Sequence, residues 1–599
     1  MPRTNIVRPN RAVLVSELSN ENTRMQIRHI QVANFRGIST LDWKPGHTFC
    51  CLIGAGDAGK STLLDAAEAA LSSRWFSFSE SDFFACDTTQ SIQIEVTIGE
   101  LSRGLKSDER LGLYIRGWTA EGDIRDEPED DDEPVLTVRL TVDATMEPVW
   151  QLICERFEEP RILSNRDRAL FGLLRLAGDD ARHLAWGQGS VLARLAGDTS
   201  EAAARLAEAY RAARASANLG EIESFSDAAR LAEGFAKGMG AYVTGTYQPG
   251  LELGRAGLTS GSVALHDGSV PLRLAGLGTR RLATLAIQKS AISEGAIVLV
   301  DEIEHGLEPH RIIGAILQLK ADAATAMEAG QPVGQVLMST HSDVALGEVD
   351  AASIHVVQIE HRARRVTIAQ PEVPVTVKKL LKFFPRALFA RRILLTEGYT
   401  ELGLLLGLRE KWPPLHAGKP IEQQGAAIAD GNGNEAPALA LILAHLGYAV
   451  ALYRDSDQPI APETIAQLNT ARVPVFQYDG EINTEQAIMG AANPAQVQEL
   501  LVYARAEKGE NSINDQLIPK LHGLTIATLR DRFSNWALDS ALDDAELAGI
   551  IAMVAADKKW FKDLRIGRGL APLVWDITRS NPQSTLAATL AQVESWLYA

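Results

Sequence analysis

The chain has 599 residues, 46% of them hydrophobic and 23% charged, with a net charge of −17 and four cysteines. That length predicts roughly three or four domains, no apolar run is long or charge-free enough for a bilayer span or a signal core, and the expectation is an unexported, cytoplasmic protein with no membrane partner. Cys50, Cys51, Cys86 and Cys154 show neither metal-finger spacing nor a disulfide framework, and the acid excess rules out a uniformly basic nucleic-acid-binding surface, so any such binding is local.

Residues 1–24 read as an N-terminal extension. From 25 to 154 the pattern is strand-like, with IRHIQVANF, then FCCLIG entering a Gly-rich turn and the helix STLLDAAEAALSS, then SIQIEVTI and VLTVRLTV. The acidic run from Asp126 to Glu133 reads as a solvated loop or hairpin tip. Residues 155–235 turn helical and rich in Ala, Leu and Arg (RALFGLLRLAG, EAAARLAEAYRAARA, SDAARLAEGFAKG), which predicts an inserted helical region and a candidate for dimerisation. Sheet-type segments return over 236–375 with GAIVLVDE and GQVLMSTHSD. The proline-containing AQPEVPVTV marks a boundary near 370–385. A second α/β series occupies 376–495, and 496–599 is mainly helical. Basic residues cluster at Lys378, Lys379, Lys382, Arg386, Arg391 and Arg392, and again at Lys558, Lys559, Lys562, Arg565 and Arg568.

Gly54-Ala55-Gly56-Asp57-Ala58-Gly59-Lys60-Ser61, followed by Thr62, matches GxxxxGK[ST] between an apolar strand and a helix. Its glycines allow backbone N–H groups to wrap phosphates, Lys60 supplies charge to the β and γ oxygens, and Ser61 suits Mg²⁺. An apolar strand ending in acid, Ala296–Asp301-Glu302, is the expected partner. Asp301 would hold the metal of a bound ATP, and Glu302 would orient or deprotonate the attacking water. The bland alternative is a buried strand ending in solvated acids. Further segments resemble ABC-type ATPases. Leu274-Ala-Gly276-Leu-Gly278 stands where those proteins carry a signature loop, with Ala275 in place of its serine. Glu302–Pro309 resembles a D-loop, and His341 in Ser339-Thr-His-Ser342 holds the place of a switch histidine. Asn34-Phe35-Arg36 resembles the NFR segment of RecF-like ATPases. In such ATPases the signature loop of one protomer completes the site of another, so the resemblance implies a homodimer or higher homo-oligomer.

The second α/β series places Glu397-Gly-Tyr-Thr-Glu401 behind RILLT, and Asp455-Ser-Asp457 behind AVALYR. In a parallel sheet the carboxyl ends of strands converge on one rim. Alternation puts Asp455 and Asp457 on one side of the chain. Crowded carboxylates call for cations, and hard oxygen ligands suit Mg²⁺ or Mn²⁺, two of which can cleave a phosphodiester. The bland alternative makes the first acids a helix start and the second a turn. Together, each behind an apolar strand, they resemble a Toprim domain.

The order ABC ATPase then Toprim, together with Val377–Lys382 and Ala387–Ala390 leading into the Toprim strand, resembles the OLD (overcoming lysogenisation defect) nucleases, which include the nuclease subunit of Gabija anti-phage systems. The resemblance implies an α/β fold: a P-loop ATPase domain (25–154 and 236–375) with an inserted helical dimerisation region, a Toprim domain, and C-terminal helices completing the nuclease module. It implies metal ligands Glu397, Glu401, Asp455 and Asp457, with a later acid at Glu485 or, as runner-up, Glu481. It also implies a role for Lys562 on the scissile phosphate. The implied activity is ATP-regulated DNA cutting in anti-phage defence or DNA repair, with a superfamily 1 helicase as a partner in some relatives. Two rivals share the architecture: an effector that cuts RNA such as tRNA, and a non-nucleolytic DNA-binding clamp.

Overall fold

The computed structural model describes residues 25–176 (apart from 75 and 108–110), scattered positions within 204–246, then 265–267, 270–293, 296–328 and 334–599 apart from 361. Most of the expected helical insertion, and the N-terminal extension, lie outside the described residues. The chain forms two compact units, one of residues 1–49 and 61–339, the other of residues 50–60 and 340–599.

In the first unit, alternating apolar residues build an antiparallel meander in which Gln26–Phe35 pairs with Ile38–Trp43 and with Ile92–Gly99. Ile92–Gly99 pairs in turn with Glu133–Val142, and that strand with Pro148–Ile153. The acidic run joins Ile124–Arg125 to Glu133–Val142, but its ends are not simply solvated. Asp126 pairs with Arg116 at 2.8 Å, and Glu133 with Arg28 at 2.9 Å. A parallel trio follows: Leu174–Leu176 beside Val298–Val300, and Val298–Val300 beside Val336–Ser339.

Over residues 161–176 the helical expectation fails, while the described positions between 204 and 230 are largely helical. Arg161–Ile162 and Leu174–Leu176 are strands, separated only by the short helix Asn165–Ala169. Leu-Arg-Leu looks helical among its leucine-rich neighbours. Its parallel partner, more than a hundred residues away, decides otherwise, as tertiary pairing commonly overrides local propensity.

The second unit contains all but the first residue of strand Phe49–Ile53, whose last residues run parallel to Ile354–Ile359 with Arg365–Ala369 antiparallel beyond. Its main body is a parallel sheet ordered Ala426–Asp430, Arg392–Thr396, Ala449–Arg454, Val475–Gln477. Helices from Pro494–Lys508 to Thr585–Tyr598 pack on it around one apolar core that includes Trp412, Trp536, Trp560 and Phe561. Helix Tyr399–Leu408 packs closely on Leu564–Ser580, where small residues let the backbones meet. A Cβ on Gly403 would lie 2.5 Å from the Leu564 carbonyl oxygen, and one on Gly567 2.7 Å from that of Thr400. This contact fixes the C-terminal helices against the helix that carries Glu401.

Candidate functional site

Gly54 ends its strand at φ 137°, and a Cβ there would meet the Val357 carbonyl oxygen at 2.3 Å, so only glycine fits. The loop turns into helix Lys60–Leu71. Lys60 is buried and folds back to donate to the carbonyls of Gly54 (3.0 Å) and Ala55 (2.8 Å), a posture that holds its charge over the loop. Asp57, Ala58 and Gly59 complete that loop, and Thr62 lies in the first turn of the helix. Thr340 donates from its backbone to Leu52 at 3.3 Å, which puts His341 beside the end of the P-loop strand, its ring 6.4 Å from that of Phe389.

On the first unit's parallel trio, Asp301 is heavily engaged. Its Oδ1 accepts from Ser61 Oγ at 3.1 Å and from Ser339 Oγ at 2.5 Å, and its Oδ2 from Arg175 at 2.9 Å. Arg175, 2% exposed, also donates to Asp65 of the P-loop helix at 2.8 Å. Asp65 in turn accepts from Arg36 of the NFR segment at 2.6 Å. Arg281 donates to the carbonyls of Asp301 (2.7 Å) and Glu302 (3.0 Å). Glu302 adopts φ 47°, a left-handed conformation costly for a side chain-bearing residue, and its N–H bonds Ser339 Oγ at 3.0 Å. Helix Leu277–Ser293 starts within the signature-like loop. Gly278 packs against Gly306 of the D-loop-like turn, whereas Gly276 faces open space and Leu274 is 68% exposed.

The second unit's parallel sheet gathers the other acids. Thr396 is level with Asp430 on one side and Tyr453 on the other, so Glu397 and Asp455 emerge on the same rim. Glu397 donates its N–H to the Tyr453 carbonyl at 3.0 Å and its carboxylate accepts from Arg454 at 3.2 Å. Arg454 is itself buried, with Nη1 unpartnered. Glu401 and Glu485, in the first turns of Tyr399–Leu408 and Thr484–Ala491, are buried. Ser456 clamps the loop after Asp455 to Ile482 through both its backbone and its hydroxyl. Thr484 donates to Asp455 at 2.7 Å, and behind it stand the buried Tyr478 (3.2 Å) and Tyr453 hydroxyls.

The electrostatics follow from this crowding. Burial, then the charge of Glu401, pushes the Asp455 carboxyl up to about 8, against the Thr484 hydrogen bond. Burial and the charges of Glu485 and Glu397 raise Glu401 to about 7. Glu485 rises to about 7 through burial and the charges of Asp455 and Asp457, while the ammonium of Lys562 works against the rise. Glu485, Asp457 and Lys562 therefore share one neighbourhood; Glu481 is exposed on the preceding turn. Among the described residues no group of three His, Cys, Asp or Glu side chains is already gathered closely enough to hold a metal ion. Glu397 accepts from Arg454, and Asp455 from Thr484. The donor chemistry nevertheless fits a divalent cation, because mutually repelling, desolvated carboxylates are stabilised most simply by one.

Several participants escaped the sequence. Asp430 ends the apolar strand AAIAD on the same rim, and burial raises its carboxyl; the strand-end rule used for Asp455 would have found it. Arg175, a lone cation inside an apolar run, was a signal too. Of the basic clusters, Arg386 is paired with Asp343 (2.5 Å), Lys558 with Asp557 (2.8 Å), Arg565 with Glu507 and Arg568 with Glu410. Those cations are partly neutralised.

Three family models match the chain. Residues 388–457 match the TOPRIM domain of "Overcoming lysogenization defect protein-like" proteins. Residues 213–347 match an AAA domain (AAA_21) described with AbiEii toxin and the type IV TA system, and residues 25–125 match a protein of unknown function, DUF2813. No curated protein matches. Among solved structures, an Smc head bound to the C-winged helix domain of ScpA shares 17% identity, covering 58% of this chain and 98% of that one at TM-score 0.32. The SMC head domain from Thermotoga maritima shares 14%, over 58% and 100%, at 0.27. The recombination mediator RecF shares 10%, over 58% and 99%, at 0.30.

Proposed function

From a chain with the ATPase–Toprim architecture of the OLD family, an ATPase joined to an OLD-like nuclease domain and C-terminal helices, we propose an ATP-regulated, metal-dependent DNA endonuclease. The observation that carries this reading is the trio of the buried Glu401 and Glu485 with the half-buried Asp455, gathered at one parallel-sheet rim with their carboxyls pushed up by desolvation and mutual repulsion. A purely structural site would gain from replacing them with neutral residues; a site that binds Mg²⁺ or Mn²⁺ needs them.

Glu401, Asp455, Glu485 and, released from Arg454, Glu397 would hold one or two ions, with Asp457 at the exposed edge. Divalent cations there supply water activation and stabilisation of the leaving oxygen. The chain's own contribution is positional. Thr484 orients Asp455, Ser456 locks the loop between the acids, and Lys562, whose charge acts on Glu485, would hold charge on the scissile phosphate. At the ATPase site Lys60 and the loop 54–59 would cradle the triphosphate, Ser61 and Asp301 its Mg²⁺, and Glu302 and His341 the attacking water and γ-phosphate. Gly276 and Leu274, turned to solvent, suit completion of that site by a second copy, hence a homodimer or higher homo-oligomer. Among the described residues no helix is long and apolar enough to cross a membrane. A cytoplasmic role in anti-phage defence or DNA repair, with a superfamily 1 helicase as partner, belongs to the same proposal.

The test is incubation of purified protein with supercoiled plasmid and, separately, total tRNA, in Mg²⁺ or Mn²⁺, with and without ATP. Metal-dependent plasmid nicking lost in Asp455→Ala and Glu401→Gln is the expected result. Cutting of tRNA alone would move the target to RNA, and binding without any cutting would leave a DNA clamp.

A further inference from the structure

Helix Pro374–Phe383 and the turn after Ala426–Asp430 enclose a cavity of about 130 Å³ whose lining includes Phe383, Tyr399, Lys379, Asp430 and Asn432. Two of these are aromatic rings left in the open, Phe383 at 61% and Tyr399 at 45% exposure. Lys379 donates to the Asn432 side chain at 2.7 Å, and Asn432 donates its backbone N–H to Asp430 at 3.1 Å, which fixes the polar wall. That wall is tied to the acid rim, because Gly431 and Gly433 donate to the carbonyls of Thr396 and Glu397, each at 2.7 Å. Tyr399 stands two residues from both Glu397 and Glu401. Tyr399 and the Gly431–Gly433 turn thus join the cavity wall directly to the strand end and helix that carry Glu397 and Glu401.

We propose that this cavity receives an unstacked nucleobase flanking the scissile phosphate of a DNA strand. The inference rests on the nuclease reading for its substrate and names a subsite of it. A phosphate is a poor occupant, because the Asp430 carboxyl and the nearby Glu435 repel it and Lys379 is already engaged by Asn432. A planar base suits the chemistry: ring faces for stacking, Lys382 over the Phe383 ring at 5.5 Å adding positive charge for the backbone outside, and acceptors on Asp430 and Asn432 for an amino edge. Adenine, cytosine and guanine offer such a donor and thymine offers no exocyclic amine, so bases other than thymine are favoured.

The experiment measures binding of short fluorescent single-stranded oligonucleotides to the full chain in Ca²⁺, together with cutting in Mn²⁺. The oligonucleotide series carries one abasic site moved along the strand. Loss of one base–aromatic stack should weaken binding about ten- to hundredfold. Tyr399→Ala and Phe383→Ala, both at exposed positions, should each show that loss, and Tyr399→Trp should restore it. An abasic site at one position beside the cut should weaken the wild type equally and add nothing in Tyr399→Ala. Wild-type affinity in both alanine variants, or an abasic penalty that simply adds to theirs, overturns the subsite. If the wild type cuts neither DNA nor RNA the nuclease reading fails, yet the binding series still decides whether the cavity holds a base. An RNA series binding in preference to DNA, with the same Tyr399 dependence, would keep the pocket and overturn its DNA assignment.

Discussion

Replacing Asp455 with asparagine should abolish cutting and stabilise the metal-free protein at the same time. The Asp455 carboxyl is raised from 3.8 to about 8 by burial and by its acidic neighbours. At about 1.4 kcal/mol per unit, that displacement sets a ceiling of roughly 5–6 kcal/mol on the cost of holding this group charged near neutral pH. Relaxation of the surrounding side chains and the option of staying protonated reduce the net effect, so a gain of about 1–3 kcal/mol is expected. Asparagine keeps the Oδ1 that accepts from Thr484 at 2.7 Å, so the local geometry survives. The assay is thermal melting in EDTA, where the transition of the second unit should rise by several degrees at about 2–4 °C per kcal/mol. Plasmid nicking in Mn²⁺ should fall at least about a hundredfold if Asp455 is the ligand proposed above. ATP hydrolysis without DNA should be unchanged. A variant that melts lower than the wild type, or nicks as well as it does, would refute the reasoning.

The same acids set a pH dependence. Glu401, Asp455 and Glu485 have folded values above their unfolded ones, so their contribution to stability is present below about pH 4 and lost as pH rises through about 7–8. Melting in EDTA should therefore fall across that window, and added Mn²⁺ should recover more at its upper end; a flat profile contradicts the crowding. In the first unit, Arg175→Met would leave Asp65 and Asp301 without their shared buried cation, at a cost of about 3–5 kcal/mol in melting studies. Arg175→Lys should fold but misplace the single nitrogen, Nη2, that donates to both Asp65 and Asp301, raising the Mg²⁺ needed for ATP hydrolysis; wild-type Mg²⁺ dependence would dismiss Arg175 as a positioning residue. Gly403→Ala forces a Cβ to 2.5 Å from one backbone atom and 2.8 Å from another, so about 1–3 kcal/mol should be lost by denaturant unfolding. Gly549→Ala, with nothing within 4 Å, should cost nothing and serves as the control.

What the sequence revealed was whatever depends on a strand running into a loop. Gly54–Ser61, Asp301 and Asp455 each follow an apolar run directly, and the chain's direction places them on a rim without knowledge of distant partners. Glu401 and Glu485 needed one step more, a helix beginning at a known residue so that its first turn faces back to that rim. The strand Leu174–Leu176 was illegible for the opposite reason. Its three residues carry no period of their own, and only Val298–Val300 makes them a strand.

That difference also explains which functional residues went unseen. Arg175 and Arg454 are cations whose roles exist only through a partner more than fifty residues away: Asp65 and Asp301 for the first, Glu397 for the second. A carboxylate crowded among carboxylates is conspicuous in one strand's sequence, since the strand end alone brings the acid to the rim. Its counter-cation can come from any element of the fold and carries no positional mark except being a charge inside an apolar run. Arg175 in Leu174-Arg-Leu176 and Arg454 at the end of Ala449–Arg454 both have that mark. A buried arginine costs several kcal/mol unless paired, so each such arginine in a strand beside a sheet-edge acid identifies the acid it holds. On that reasoning Arg454, whose Nη1 is still unpartnered, holds Glu397 in place, and on the proposed reading a divalent ion would compete for the same oxygen. Arg454→Met should then leave Glu397 free to bind Mn²⁺ more tightly in calorimetric titration, whereas unchanged Mn²⁺ affinity would show that the pair does not compete with the metal.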